Sequence, residues 1–146
     1  MKGIYCFNRG PEALKKKYKG DPVHLLGSGS IMQQVINAQK ALIDQGIPTD
    51  VWSVTSYNLL HKDYVDCQQS HAEPFLMQAL KSESGHFIAV SDYMRLLPDS
   101  LAHLFPGNFI SLGTDGYGLS ESREELRNYF GISTESIVNK VVEITK

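Results

Sequence analysis

VHLLGSGSIMQQVINAQKALIDQGIPTDVWSV, residues 23–54, decides the fold class. Val23–Leu26 is a short apolar run that meets Gly27-Ser28-Gly29-Ser30. Beyond that turn Ile31, Val35, Ala38, Leu42 and Ile43 recur at helical spacing as far as Gln45. Gly46 supplies a helix C-cap, and Pro48 prevents continuation. Val51–Val54, β-branched and aromatic, is a second strand. Strand, turn, helix and strand with short connections predict a crossover unit, which is right-handed and builds a parallel sheet.

The same grammar repeats downstream. Tyr57–Gln69 reads as one short helix with a loop. Pro74 opens a helix carrying Phe75, Leu76, Ala79 and Leu80. His86–Val90 is a third strand. Met94–Leu104 reads as a helix, with Pro98 near its start or kinking it. Phe109–Leu112 is a fourth strand and runs into the glycine-rich loop Gly113–Gly118. Ser122-Arg123-Glu124-Glu125 is a capping box that opens a helix through Leu126, Tyr129 and Phe130, closed by Gly131. Ser133 caps a last helix whose stripe of Ile137, Val141 and Ile144 reads as core. Gly3–Phe7 adds an edge strand, and Lys15–Lys19 reads as a solvated turn. The expectation is a three-layer α/β domain spanning 1–146, with no internal repeat or linker.

Composition bounds the function. At 146 residues the chain fits one domain. A net charge of −2 gives no global field for nucleic acid. No apolar run approaches the ~20 residues of a membrane span, and Met1–Gly10 lacks a signal-peptide core. The 2 cysteines, Cys6 and Cys67, stand far apart, which fits a reducing cytoplasm rather than a disulfide scaffold.

Two constellations are candidates for recognition. Gly27-Ser28-Gly29-Ser30 follows a strand and precedes a helix, where free N–H groups attract anions. It matches neither dinucleotide nor P-loop patterns, and a tight turn with Ser28 or Ser30 as cap explains it without a ligand. Asp115-Gly116-Tyr117-Gly118 with Ser122 and Arg123 lies at the carboxyl edge of a parallel strand, where α/β sheets place ligands. A recognition role is expected there, with partner contact ahead of catalysis. The five histidines, His24, His61, His71, His86 and His103, are dispersed in the sequence and read as exposed polar side chains. Asp66, Cys67, His71 and Glu73 form one local group of potential ligands, but their spacing matches no zinc pattern. Asp66 raises the pKa of Cys67 and argues against a reactive thiol. No nucleophile elbow is present. No catalytic, cofactor-binding or metal residue is assigned.

Taken together, several strings resemble a known family. They are Lys2-Gly3-Ile4-Tyr5, Leu25–Ile31, Asp50–Tyr57, Asp66-Cys67, Ser91–Met94, Leu112–Gly118, and Ser120 to Phe130. In this order they resemble the C-terminal domain of the homodimeric, bacterial-type pyruvate dehydrogenase first component, a thiamine-diphosphate-dependent decarboxylase of the transketolase superfamily. The resemblance covers nearly the whole chain, and Gly113–Arg127 is its most specific part. Between Cys67 and Phe75 the chain is shorter than the family's segment.

The resemblance implies a mostly parallel five-stranded sheet with one antiparallel strand, a place suited to Gly3–Phe7. It implies a domain cut from a longer chain, serving subunit packing and bordering the active-site entrance. The full enzyme decarboxylates pyruvate with thiamine diphosphate and magnesium, and passes acetyl to the lipoyl group of an acetyltransferase. Those cofactors are held by other domains of two subunits, so this chain alone is expected to bind neither and to be inactive. The competing expectation is a stand-alone small-anion-binding or dimerisation module.

Overall fold

The computed structural model describes residues 2–115 and 122–146. Its strands are β1 (Ile4–Asn8), β2 (Val23–Gly27), β3 (Thr49–Val54), β4 (His86–Val90) and β5 (Asn108–Leu112). They form one sheet in the order β1-β3-β2-β4-β5. β3, β2, β4 and β5 run parallel, whereas β1 pairs antiparallel with β3, Ile4 opposite Val54. The expected mixed sheet with its antiparallel edge is therefore present.

Helices cover both faces because both faces are apolar. The chain alternates α1 (Glu12–Lys17), α2 (Met32–Asp44), α3 (Tyr57–Ser70), α4 (Phe75–Ala79), α5 (Leu96–Ser100), α6 (Arg123–Tyr129) and α7 (Thr134–Ile144) around the strands. On one face Leu26, Trp52, Val54, Phe87 and Ala89 meet Leu60 of α3, Leu76 of α4 and Leu101. On the other, Val23, Leu25, Val51, Ile88 and Val90 meet Val35, Ala38 and Leu42 of α2 and Ile137 and Val141 of α7. Successive strand residues alternate between these clusters, as the period-2 pleat requires. Each large side chain fully buried this way contributes about 1.5–3 kcal/mol.

Several local expectations are corrected. The segment 57–70 is one unbroken helix: Ser56 Oγ accepts from the Leu59 N–H at its start, and His71 ends it with φ 57°. The run 94–104 is not one helix. Only Leu96–Ser100 is α-helical, followed by a 3-10 turn over Ala102–Leu104. Pro98 is tolerated in a first turn, where its missing N–H bonds nothing, and the helix breaks one turn later. Lys15–Lys17 lie on α1 rather than a solvated turn, and Lys15 is drawn to Asp50 at 2.8 Å. Neither Ser28 nor Ser30 caps through its side chain: a 3-10 turn over Gly29–Ile31 precedes α2 and carries no such bond. The capping box at Ser122 and Glu125 and the Ser133 cap form as expected.

Gly85 holds the entry to β4. Its φ is +94°, and a Cβ there would press into the Pro22 carbonyl, which accepts the His86 N–H at 2.8 Å. We expect Gly85→Ala to cost about 2–4 kcal/mol, from left-handed strain plus overpacking. Urea unfolding monitored by Trp52 fluorescence measures it.

Candidate functional site

The strand order sets where a crevice opens. β2 exits into α2, on one face of the sheet, while neighbouring β4 exits toward α5, on the other. Two adjacent parallel strands whose connections diverge leave a gap beyond their carboxyl ends, the place where open α/β sheets bind ligands. Here the gap is a cleft of about 360 Å³, with Ser30, Asp92, Thr114, Arg123 and Arg127 among its walls. Ser30 comes from the turn after β2, Asp92 from the loop after β4, and Thr114 from the end of β5.

The loops are tied across the gap by hydrogen bonds. Ser30 Oγ donates to Asp92 Oδ2 at 2.7 Å, and Thr114 Oγ1 donates to the Asp92 carbonyl at 2.9 Å. Ser28 Oγ and Asp92 Oδ1 are buried without a hydrogen-bond partner among the described residues. Ser30 of the first sequence constellation and Arg123 of the second therefore share one cleft. Gly27 does not face it: it is buried, and a Cβ there would meet Met32 and Val35. Gly29, at φ +56°, makes the turn. Asp115 serves a local tie, accepting from both the backbone N–H and the guanidinium of Arg95. Those bonds, the backbone one first, hold its carboxyl below the ordinary value. Ser122 is spent on the α6 cap. Gly116, Tyr117 and Gly118 lie outside the described residues. Sequence reasoning missed Asp92, Thr114 and Arg127 as cleft residues. Arg123 and Arg127, four apart on a helix, were the available signal.

The opposite end of the sheet is closed by polar groups. His24 is buried, not exposed as its dispersal in the sequence suggested. It stacks on Phe87 at 4.6 Å between ring centroids. Its Nδ1 accepts from Trp52 Nε1 at 3.2 Å, and its Nε2 lies 3.0 Å from the Ser84 carbonyl. Indole only donates and a carbonyl only accepts, so the ring is neutral with its proton on Nε2. Burial pushes its pKa down, against the pull of Glu83 and Asp50. Asp50, 4% exposed at its side chain, takes Arg9 at 2.9 Å, Lys15 at 2.8 Å and the Gly10 N–H at 2.7 Å. Burial works against its charge, but the bonds from Lys15, Gly10 and Arg9 outweigh it and hold the carboxyl below its usual range. Arg9 also reaches Glu83 at 2.8 Å.

His24, Asp50 and Glu83 are the one group among the described residues whose ligand atoms converge within reach of a metal ion. Their chemistry does not suit one. Both imidazole nitrogens are engaged, and two cations already neutralise the two carboxylates. The group of Asp66, Cys67, His71 and Glu73 does not converge in this way. Asp66 pairs with Lys62 at 3.1 Å, and the Cys67 thiol is pushed up, by desolvation first and then by Asp63 and Asp66. A magnesium diphosphate needs several converging oxygen ligands. Among the described residues the cleft offers one carboxylate, Asp92, and these residues do not fit thiamine diphosphate with its magnesium.

Residues 3–133 match the family model of the transketolase-like TK C-terminal domain. The chain belongs to that family. It is 34% identical over 152 residues to the pyruvate dehydrogenase E1 component of Mycolicibacterium smegmatis, covering 98% of this chain and 16% of that protein. The domain thus spans about a sixth of the length of such relatives. Transketolase from Campylobacter jejuni shares the fold, at TM-score 0.62 and 20% identity over 97% of this chain and 18% of its own. So does a split-gene transketolase chain described as an inactive beta4 tetramer, at TM-score 0.66 and 14% identity over 96% of this chain and 41% of its own. α7 begins just past the matched range, yet it completes the core over α2.

The buried network makes stability pH-dependent in a defined direction. His24 binds its proton less readily folded than unfolded, so the unfolded chain holds more protons just below the ordinary imidazole value of about 6.5. This contribution is complete above that value and is lost as pH falls. Unfolding free energies measured by urea titration should decline on acidification below about pH 6.5, and His24→Gln should flatten that decline. Asp50→Ala, which strands Arg9 and Lys15, should cost about 3–5 kcal/mol at neutral pH.

Proposed function

We propose that this domain is the C-terminal assembly part of a thiamine-diphosphate-dependent pyruvate dehydrogenase component, an enzyme that decarboxylates pyruvate and passes acetyl to lipoyl groups. The observation that carries this reading is the identity to pyruvate dehydrogenase E1 proteins along almost the whole chain, confined to a sixth of their length. In this reading thiamine diphosphate and magnesium supply the decarboxylating chemistry and are held by the remaining domains of two subunits. The domain's own part is packing. Its partners are the rest of the enzyme, a second subunit in a homodimer, and the lipoyl acetyltransferase, all in the cytoplasm.

The carboxyl edge of the sheet supports a packing role. Tyr93, Met94, Leu96 and Tyr129 are 72%, 59%, 72% and 72% exposed, although all are large and apolar. Three of them lie in the loop and helix start after β4. The most exposed of the large hydrophobic side chains lie at this edge; such a patch marks an interaction surface, and neighbouring enzyme domains would cover it.

Pyruvate decarboxylation and association with the catalytic remainder of such an enzyme, expressed separately, test the reading. The domain alone should be inactive and show no saturable binding of thiamine diphosphate with magnesium by calorimetry. Mixed with the remainder it should bind and restore turnover, and Leu96→Asp should weaken that association about tenfold or more while leaving the melting temperature near wild type. Turnover by the domain alone, micromolar cofactor binding, or no association would each defeat the proposal.

A further inference from the structure

His24 sits between two alternative sets of partners. Its Nδ1 accepts from Trp52 Nε1 at 3.2 Å, while Asp50 Oδ2 stands 3.8 Å from the same nitrogen. Its Nε2 lies 3.0 Å from the Ser84 carbonyl, with Glu83 Oε2 at 3.8 Å. The Trp52 bond requires neutral imidazole, because only an unprotonated Nδ1 accepts the indole N–H. An imidazolium donates from both nitrogens, and here a carboxylate stands beside each.

Charge balance decides what a second proton does. Around the neutral ring Arg9 and Lys15 cancel Asp50 and Glu83. One more proton leaves this buried group a positive charge in excess, and an uncompensated buried charge is strongly unfavourable, so a cation goes to water. Other titratable groups at this end are the Cys6 thiol on β1, pushed up first by burial, Tyr18 in the wall of the adjoining cavity, Glu12 on α1, and Asp21, 3.7 Å from His86 on β4. Glu12 and Asp21 are largely exposed, where water and salt screen them. Arg9 is held by both carboxylates and lies over the Trp52 ring, 5.0 Å from its centroid. Lys15, among the described residues, pairs with Asp50 and the exposed Glu12. Its helix, α1, buries none of its residues and supplies none to the apolar cluster on either face of the sheet. Lys15 is therefore the cation that leaves.

We propose that His24 is a proton-operated latch: on taking a proton at Nδ1 it leaves Trp52, replaces Lys15 on Asp50, and frees α1 from the amino end of the sheet. Nε2 keeps its proton throughout, turned to Ser84 and Glu83. Lys15 and Tyr18 line a cavity of about 240 Å³ together with His24, Asp50 and Glu83. Withdrawal of Lys15 opens that cavity to water, which hydrates the new imidazolium. Burial lowers the affinity of His24 for the proton more than the carboxylates raise it, so the latch opens below the ordinary imidazole value of about 6.5. The device uses only residues of this domain and does not depend on the assembly role.

Titration of the folded domain from about pH 8 to about pH 5, followed by NMR and by fluorescence, tests it. The ring nitrogen signals of His24, resolved from the other histidines, should show protonation at Nδ1. Trp52 is the only tryptophan, and its emission should fall at the same midpoint as an imidazolium forms beside it. The backbone amides of Glu12–Lys17 should lose order at that midpoint, while those of Thr134–Ile144 and the far-ultraviolet circular dichroism stay unchanged. Lys15→Met removes the competing cation, so it should loosen α1 at every pH and raise the His24 midpoint by about one pH unit. A merely structural Lys15 would leave that midpoint where it is. His24→Gln should make the Trp52 emission and the α1 amides indifferent to pH across this range. If His24→Gln does not fold, the wild-type titration and Lys15→Met decide the matter. No proton at Nδ1 above about pH 5, α1 still ordered once Nδ1 is protonated, α1 loosening while the ring stays neutral or only together with Thr134–Ile144, or a midpoint unmoved in Lys15→Met would each overturn the proposal.

Discussion

β2 is buried at every residue and paired on both edges, and the rest of the structure answers to that. A strand with two apolar faces needs cover on each, and parallel neighbours force the covering segments to be crossovers. α2 takes the face of Val23 and Leu25, while α3, α4 and α5 take the face of Leu26. Since β2 and β4 send their chains to opposite faces, a gap opens beyond their carboxyl ends, and the Ser30–Asp92 hydrogen bond ties the two loops across it. The crevice is a consequence of burying the central strand, and the residues placed there are free to serve recognition.

The two ends of the sheet show what freedom means. At the amino end the buried charges are matched. Asp50 and Glu83 face Arg9 and Lys15, and His24 has a donor on one nitrogen and an acceptor on the other. Desolvated ions persist only with such pairing, and a saturated network has nothing left to offer a ligand. At the carboxyl end the Ser30 and Thr114 hydroxyls donate to Asp92, while Arg123 and Arg127 of the same cleft form no ion pair among the described residues. The difference is one of hydrogen-bond accounting, not of charge number.

What the sequence disclosed follows the range of the forces involved. Strands, caps and the α2 stripe are local patterns, so Val23–Leu26, Gly46 and the Ser122 box were readable. Lys15 and His24 were not. Lys15 looked solvated because its partner, Asp50, is distant in sequence, and His24 looked isolated because Trp52 and Ser84 reach it only through strand pairing and the loop before β4. The cleft was half legible: the Gly-Ser turn and the Arg123 segment were both visible, but their meeting depends on the strand order. The run 94–104 reads as one helix started or kinked by Pro98, yet only Leu96–Ser100 is α-helical.

α6 decides how well the arginines are placed. It buries none of its residues, and its capping box secures only its own first turn. Among the described residues its hold on the domain comes from the far end, where Gly131 turns the chain at φ +69° and Ile132 enters the core beside Phe130. Thr134 then locks onto Gln34 of α2, its N–H at 3.0 Å and its hydroxyl at 2.7 Å from the same amide oxygen. A helix anchored at one end positions its side chains less well with each turn away from the anchor. Arg127 stands one turn nearer than Arg123 and is the more buried of the two. The geometry of the cationic wall is therefore set by Arg127, with Arg123 the more adaptable member of the pair.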